Sequence, residues 1–141
     1  MQLSKNTKLT KVAAAAVSAG TAVTSDAVDM QGFEGVMFFG SIATANAGNF
    51  AKARQDSASN MGAAADLEGT KNVTGDDADS FLIDVYRPRE RYVDCQVVRA
   101  GANTATGDIY ALQYGPLRKA PTSQGATVDA EAHVSPAEGT A

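Results

Sequence analysis

Three stretches decide the fold: Asp79-Ser-Phe-Leu-Ile-Asp-Val-Tyr86, Arg91-Tyr-Val-Asp-Cys-Gln-Val-Val98 and Asp108-Ile-Tyr-Ala-Leu-Gln-Tyr114. Each is short, rich in β-branched or aromatic residues and bounded by turn formers, which is how strands of an antiparallel sheet read. In the first, Phe81, Ile83 and Val85 share one face while Leu82, Asp84 and Tyr86 share the other. In the second, Val93, Cys95 and Val97 alternate with Tyr92, Asp94, Gln96 and Val98. In the third, Ile109, Ala111 and Gln113 alternate with Tyr110, Leu112 and Tyr114. The intervening Arg87-Pro-Arg-Glu-Arg91 and Ala100 to Gly107 read as hairpin loops, because Pro88 cannot donate to a ladder.

Upstream, Glu34-Gly-Val-Met-Phe-Phe-Gly-Ser-Ile-Ala43 is apolar on both alternating faces and predicts a central strand. Thr21 to Met30 predicts a short strand pair, Gln31-Gly32 a turn, Asn49 to Ser57 a half-exposed strand, and Thr70 to Thr74 a short edge strand. Met61 to Leu67 has the composition of a helical turn that Gly62 and Gly69 limit. Six to eight strands at roughly ten-residue spacing predict an all-β, jelly-roll-like antiparallel β-sandwich.

That domain is placed at residues 21–118. Residues 1–20 read as a flexible N-terminal arm, since Lys5, Lys8 and Lys11 precede only six apolar residues, Val12 to Val17, four of them Ala. A secretory core needs about 7–15 strongly apolar residues, so a mobile or partner-docked basic arm is the expectation. Residues 119–141 contain no aromatic residue and predict an extended or disordered tail. No run approaches the roughly 18 apolar residues of a membrane helix.

Composition narrows the chemistry. A formal net charge of −4 opposes a general nucleic-acid binder, which needs clustered cations to neutralise phosphates. One Cys and one His supply neither an internal disulfide nor a zinc site. Cys95 reads as a small buried hydrophobe, since the lone His133, its one possible imidazole base, lies in the tail. Asp76, Asp77 and Asp79 lack the ligand spacing of a calcium loop and read as a turn. Paired carboxylates of a glycosidase stay open, without Trp or an aromatic sugar platform to support them. No catalytic constellation, metal site or cofactor motif emerges, and a non-enzymatic role is expected.

Arg87, Arg89, Arg91 and Arg99 form the densest basic cluster, read as a solvated loop paired with Glu90, Asp84 and Asp94, as a contact for an acidic protein surface or, against the net charge, as a contact for nucleic acid. Tyr86, Tyr92, Tyr110 and Tyr114 read either as cross-strand pairs or as part of an interface.

The run Asp29-Met-Gln-Gly-Phe-Glu-Gly-Val-Met-Phe-Phe-Gly40, then Asp79 to Tyr86, then Arg87-Pro-Arg-Glu-Arg-Tyr-Val93, resembles the capsid cement (decoration, or head-stabilising) proteins of tailed bacteriophages. The resemblance spans about residues 20–118. It implies a jelly roll on the outer capsid surface of the virion, paired into homodimers and clamping neighbouring copies of the phage major capsid protein without covalent links. No direct nucleic-acid or membrane partner is implied. The family has no binding motif that maps onto particular residues. The interface expectation therefore rests on Arg87, Arg89, Arg91 and the four tyrosines. A secreted carbohydrate-binding β-sandwich is the alternative.

Overall fold

The computed structural model describes residues 2–117, 123–135 and 137–140. A single helical turn, α1 (Leu3–Asn6), precedes twelve strands: β1 (Lys8–Ala13), β2 (Ala16–Ala19), β3 (Val23–Thr24), β4 (Val28–Asp29), β5 (Phe33–Ser41), β6 (Asn49–Asp56), β7 (Ala65–Asp66), β8 (Asn72–Val73), β9 (Ser80–Tyr86), β10 (Tyr92–Arg99), β11 (Thr104–Thr106) and β12 (Ile109–Pro116). Every pairing is antiparallel.

Sheet A has the order β1-β12-β5-β9. Sheet C runs β3-β10-β6-β7, with β4 also on β10 and β8 also on β6, and β2 pairs β11 in a small ribbon, sheet B. The long strands change sheet from one to the next, and β1 and β12, far apart in sequence, lie side by side. This is the expected jelly-roll-like sandwich.

Burial follows the alternation. Val12, Val36, Phe38, Phe81, Ile83, Val85, Ile109 and Ala111 of sheet A meet Ala51, Ala53, Val93, Cys95 and Val97 of sheet C in one buried cluster. The alanines of β6 leave room there for the rings of Phe38 and Phe81, both essentially without solvent contact.

The structure corrects both expected hairpins. Arg87 to Arg91 connects β9 in sheet A to β10 in sheet C, and residues 100–108 carry β11 on the way back from β10 to β12. The departure occurs at Arg87. Its N–H donates to the Glu34 carbonyl (2.7 Å) and its φ of 52° turns the chain out of the ladder. Alternation fixes which face a side chain takes, and the same pattern serves a strand whatever its neighbour. No helix forms over Met61 to Leu67; Met61 takes φ 52° and Ala65–Asp66 pairs with β6.

The first 20 residues are also corrected from an arm to part of the sandwich. Leu9 lies opposite Leu112, Lys11 opposite Tyr110, and Val12 is buried. An edge strand needs only one apolar face, so Lys8, Thr10 and Lys11 disguise it.

The tail, where described, docks on β1. The Leu9 N–H donates to Gln124 Oε1 (2.6 Å), the Gly125 N–H to the Leu9 carbonyl (2.8 Å), and the Lys11 N–H to Thr127 Oγ1 (3.3 Å). One backbone bond and two side-chain substitutes thus blunt a sheet edge that would otherwise be open. Residues 119–122, 136 and 141 of the expected tail lie outside the described residues, as does residue 118 before it.

One loop is organised by a carboxylate. Asp56, at the end of β6, accepts from the Ala58 N–H (3.0 Å) and the Ala63 N–H (2.7 Å), which hold its carboxyl below the usual carboxylate range. A lowered folded value means the contribution is present above the ordinary carboxylate range near pH 4 and is lost as pH falls through the folded value. Asp56→Asn is therefore expected to lower the urea midpoint at pH 7 and to narrow its difference from wild type below about pH 3. Equal losses at both pH values would contradict the assignment.

Candidate functional site

The outward face of sheet A carries the unusual chemistry. Because Gln113, Ala111, Val36, Phe38, Phe81, Ile83 and Val85 point inward, their alternates point out, and the registers arrange them in rows. One row is Lys11, Tyr110, Phe39, Leu82; the next is Leu9, Leu112, Met37, Asp84; the third is Tyr114, Gly35, Tyr86. Eight large apolar or aromatic side chains thus share a face with two charges. Leu82 is 54% and Tyr86 57% exposed, and the other six are partly buried.

The face is flattened by specific contacts. Tyr110 and Phe39 stack with centroids 5.6 Å apart and planes within 17°. The Tyr114 ring lies across β5 so that its hydroxyl donates to Asp84 Oδ1 (2.6 Å) on the far strand. A Cβ at position 35 would collide with that ring, which is why glycine stands there. Burial, then the Asp84 carboxylate, pushes the Tyr114 phenol well above its ordinary value.

Sheet C presents the opposite character outward. Arg54 pairs with Asp94 through two bonds (3.0 and 2.5 Å), Lys52 with Asp66 (2.6 Å), and Gln96 donates to Thr24 (2.9 Å). An antiparallel sheet ordinarily keeps its solvent face polar, as sheet C does apart from the row Val98, Phe50, Val73 at one end. Sheet A does not, and a contiguous apolar patch of this kind marks an interaction surface.

The structure therefore gathers Tyr86, Tyr110 and Tyr114 on one face and puts Tyr92 elsewhere, at the start of β10. Cross-strand aromatic pairing occurs at Tyr110, which stacks on Phe39, whereas Tyr86 and Tyr114 flank Gly35. Sequence reasoning missed Leu9, Met37, Phe39, Leu82 and Leu112 as members of this surface. Their outward parity was readable, but the strand order that joins them was not.

The arginines divide in two. Arg87 meets Glu34 (3.3 Å) and lies over the Tyr86 ring; Arg91 makes two bonds to Asp29 (2.9 and 2.7 Å) and lies over Tyr92. The Arg91 guanidinium holds the Asp29 carboxyl below its usual range. The Arg89 side chain has no carboxylate partner among the described residues, while its N–H donates to Gln55 Oε1 (3.2 Å). Met30, Phe33, Pro88 and Leu117 give this end of the sandwich a shallow apolar groove beneath the arginines. Arg99 does not belong to the cluster. It is buried at the opposite end of β10, bonded to the carbonyls of Thr21, Val17 and Thr104.

The remaining candidates have structural roles. Asp77 accepts from the Ala45 N–H (2.8 Å) and Asp79 from the Asp76 N–H (2.9 Å). No cluster of three or more metal-ligating side chains occurs among the described residues. His133 sits 3.0 Å from Glu131 and is exposed. Cys95 is fully buried, and burial followed by the neighbouring Asp94 pushes its thiol up to about 12. It should resist iodoacetamide at pH 8 in the native protein and react on unfolding in urea; rapid native labelling would contradict this packing.

Fold and surface together define a class: an all-β sandwich with one mainly polar outer face and one apolar outer face. No protein-family model, curated protein or solved structure matches the chain. No helix among the described residues is long and apolar enough to cross a membrane.

Proposed function

We propose that this chain is a non-enzymatic structural protein of a tailed-phage virion, binding the outside of an assembled capsid as a dimer and clamping neighbouring major capsid proteins without covalent bonds. The observation that carries the reading is the apolar outer face of sheet A. Covering such a surface with a partner would remove apolar area from water, which supports a role within an assembly. The blunted edge at β1 fits the same role, because it confines association to chosen surfaces and discourages open-ended strand addition. The groove beneath Arg87, Arg89 and Arg91 offers a second contact at the end of the sandwich, suited to an acidic, partly apolar protein segment.

The test mixes the purified protein with expanded capsid shells that lack it. Saturable co-sedimentation and a raised temperature of shell disruption are expected, since a ligand of the assembled state stabilises that state. Folded protein that leaves the shells bare would overturn the proposal. One observation favours carbohydrate binding as a second reading: the Phe39 and Tyr110 rings lie nearly parallel on the same face as Asp84, Tyr86 and Tyr114, a surface on which a sugar ring can stack. A glycan-array signal without shell binding would select it.

A further inference from the structure

We infer that the outer edge of β9 takes up an extended segment of a partner protein as an added strand of sheet A, with a lysine or arginine of that segment opposite Asp84. The site does not depend on the partner being a capsid protein.

The backbone of β9 is half unpaired. In an antiparallel pair, residues alternate between exchanging both bonds with the neighbouring strand and pointing both groups away. The Arg87 N–H donates to the Glu34 carbonyl of β5, and the Ile42 N–H donates to the Asp79 carbonyl, so Phe81, Ile83 and Val85 between them bond β5. Ser80, Leu82, Asp84 and Tyr86 therefore turn their N–H and C=O outward. Asn72 Nδ2 donates to the Leu82 carbonyl (3.1 Å) from that outer side. The Leu82 N–H and both backbone groups of Asp84 and Tyr86 have no partner among the described residues. An extended chain presents donors and acceptors at the same repeat, about 6.8 Å for every second residue.

The other edges of the two sheets are covered or short. β1 is covered by Gln124 to Thr127, and β3, β4, β7 and β8 at the margins of sheet C are two residues each. β9 is seven residues long and carries the exposed Leu82 and Tyr86. Two grooves of about 480 and 450 Å³ lie between this edge and residues 66–73, and both are lined by Asp84. From Leu82 to Tyr86 the edge runs about 14 Å, the length of roughly five strand residues.

Charge selects the occupant. Asp84 is exposed and has no cationic partner among the described residues. The Tyr114 hydroxyl, a neutral donor, takes Oδ1 and leaves the charge and Oδ2 available. Lys71, on the facing wall, lies over the Phe50 ring. A second copy fits poorly. The antiparallel register that sets Leu82 against Tyr86 of another β9 sets Asp84 against its own counterpart, and a shift of two residues sets it against Leu82 or Tyr86. A charge placed this way on an edge strand discourages self-addition. A segment with an apolar residue, a cation and an apolar residue at alternate positions meets Tyr86, Asp84 and Leu82 with a matching group at each.

The probe is the heptapeptide acetyl-Thr-Val-Thr-Lys-Thr-Val-Thr-amide, titrated to about 5 mM into the isotope-labelled full chain while amide exchange is followed. The amides of Leu82, Asp84 and Tyr86 should exchange at least about threefold more slowly, with those of Phe81, Ile83 and Val85, already bonded to β5, unchanged. Methylating the lysine amide nitrogen of the peptide, which faces β9, should abolish the effect; methylating a central threonine nitrogen, which faces away, should preserve it. Glutamate in place of the lysine should weaken binding about threefold, and Asp84→Lys should restore the glutamate peptide to within about twofold. No slowing at the Leu82, Asp84 and Tyr86 amides at the highest peptide concentration, or slowing that survives methylation of the lysine amide, would overturn the inference. Slowing at the same amides with rising protein concentration and no peptide would overturn the choice of occupant in favour of a second copy. Slowing by the peptide in a chain that leaves capsid shells bare would support the strand site while overturning the capsid role.

Discussion

Arg54→Met is expected to destabilise the fold by about 3 kcal/mol, and adding Asp94→Leu should recover most of the loss. Asp94 is 1% exposed, on the outward side of β10, and the guanidinium of Arg54 on β6 is what covers and neutralises it. The pair makes two nearly parallel bonds, which match the planar fork to both carboxylate oxygens. Removing the arginine alone leaves a carboxylate buried beside Cys95 without a counter-charge, and the penalty of that unpaired charge exceeds the net value of the pair. Replacing both groups with apolar side chains removes the charge and its desolvation cost together. Urea unfolding of the two single variants and the double variant measures the coupling; additive losses would show that the ion pair is not what holds these strands in contact.

Arg99→Met should cost a comparable amount, about 3 kcal/mol or more, for a different reason. Arg99 is 4% exposed, and its guanidinium meets no carboxylate among the described residues. It donates instead to the carbonyls of Thr21 (2.5 Å), Val17 (2.8 Å) and Thr104 (2.8 Å) and to the Thr21 hydroxyl (3.3 Å). Those carbonyls belong to β2, to the β2–β3 connection and to β11, segments with few apolar contacts of their own. Methionine fills much of the volume but leaves the carbonyls without donors. Faster amide exchange over residues 15–24 than in the rest of the protein is the expected signature, and a uniform increase across both sheets would argue instead for simple loss of packing.

Much of the fold was legible because burial has the period of a strand. Phe81, Ile83 and Val85, or Val93, Cys95 and Val97, show their shared face directly in the sequence. The two-sided apolarity of β5 likewise marked it as central, and it lies between β12 and β9. What the residues do not encode locally is adjacency. β9 and β10 follow one another and lie in different sheets, while β1 and β12 are neighbours with almost the whole chain between them. The interaction face depends on that adjacency, since Leu112, Met37 and Leu82 become a surface only once β12, β5 and β9 are set in order. The arginine loop was found by composition alone, and Arg99 was grouped with it because linear proximity does not reveal that β10 carries it to the other end of the sandwich.

The pairing of β1 with β12 imposes an order of events on synthesis. Lys8–Ala13 leaves the ribosome early, yet its ladder partner Ile109–Pro116 is about a hundred residues behind it, and the Gln124 to Thr127 segment that closes its outer edge is later still. Sheet C has no such dependence on the early strand, because β6 and β10 are complete by Arg99. During translation the chain therefore carries a half-built sandwich whose first strand is unpaired, at a stage when its apolar side chains are open to other nascent chains. Closing so long a loop is also slow, so folding should be limited by the arrival of β12 and not by the formation of the sheet that contains most of the buried alanines.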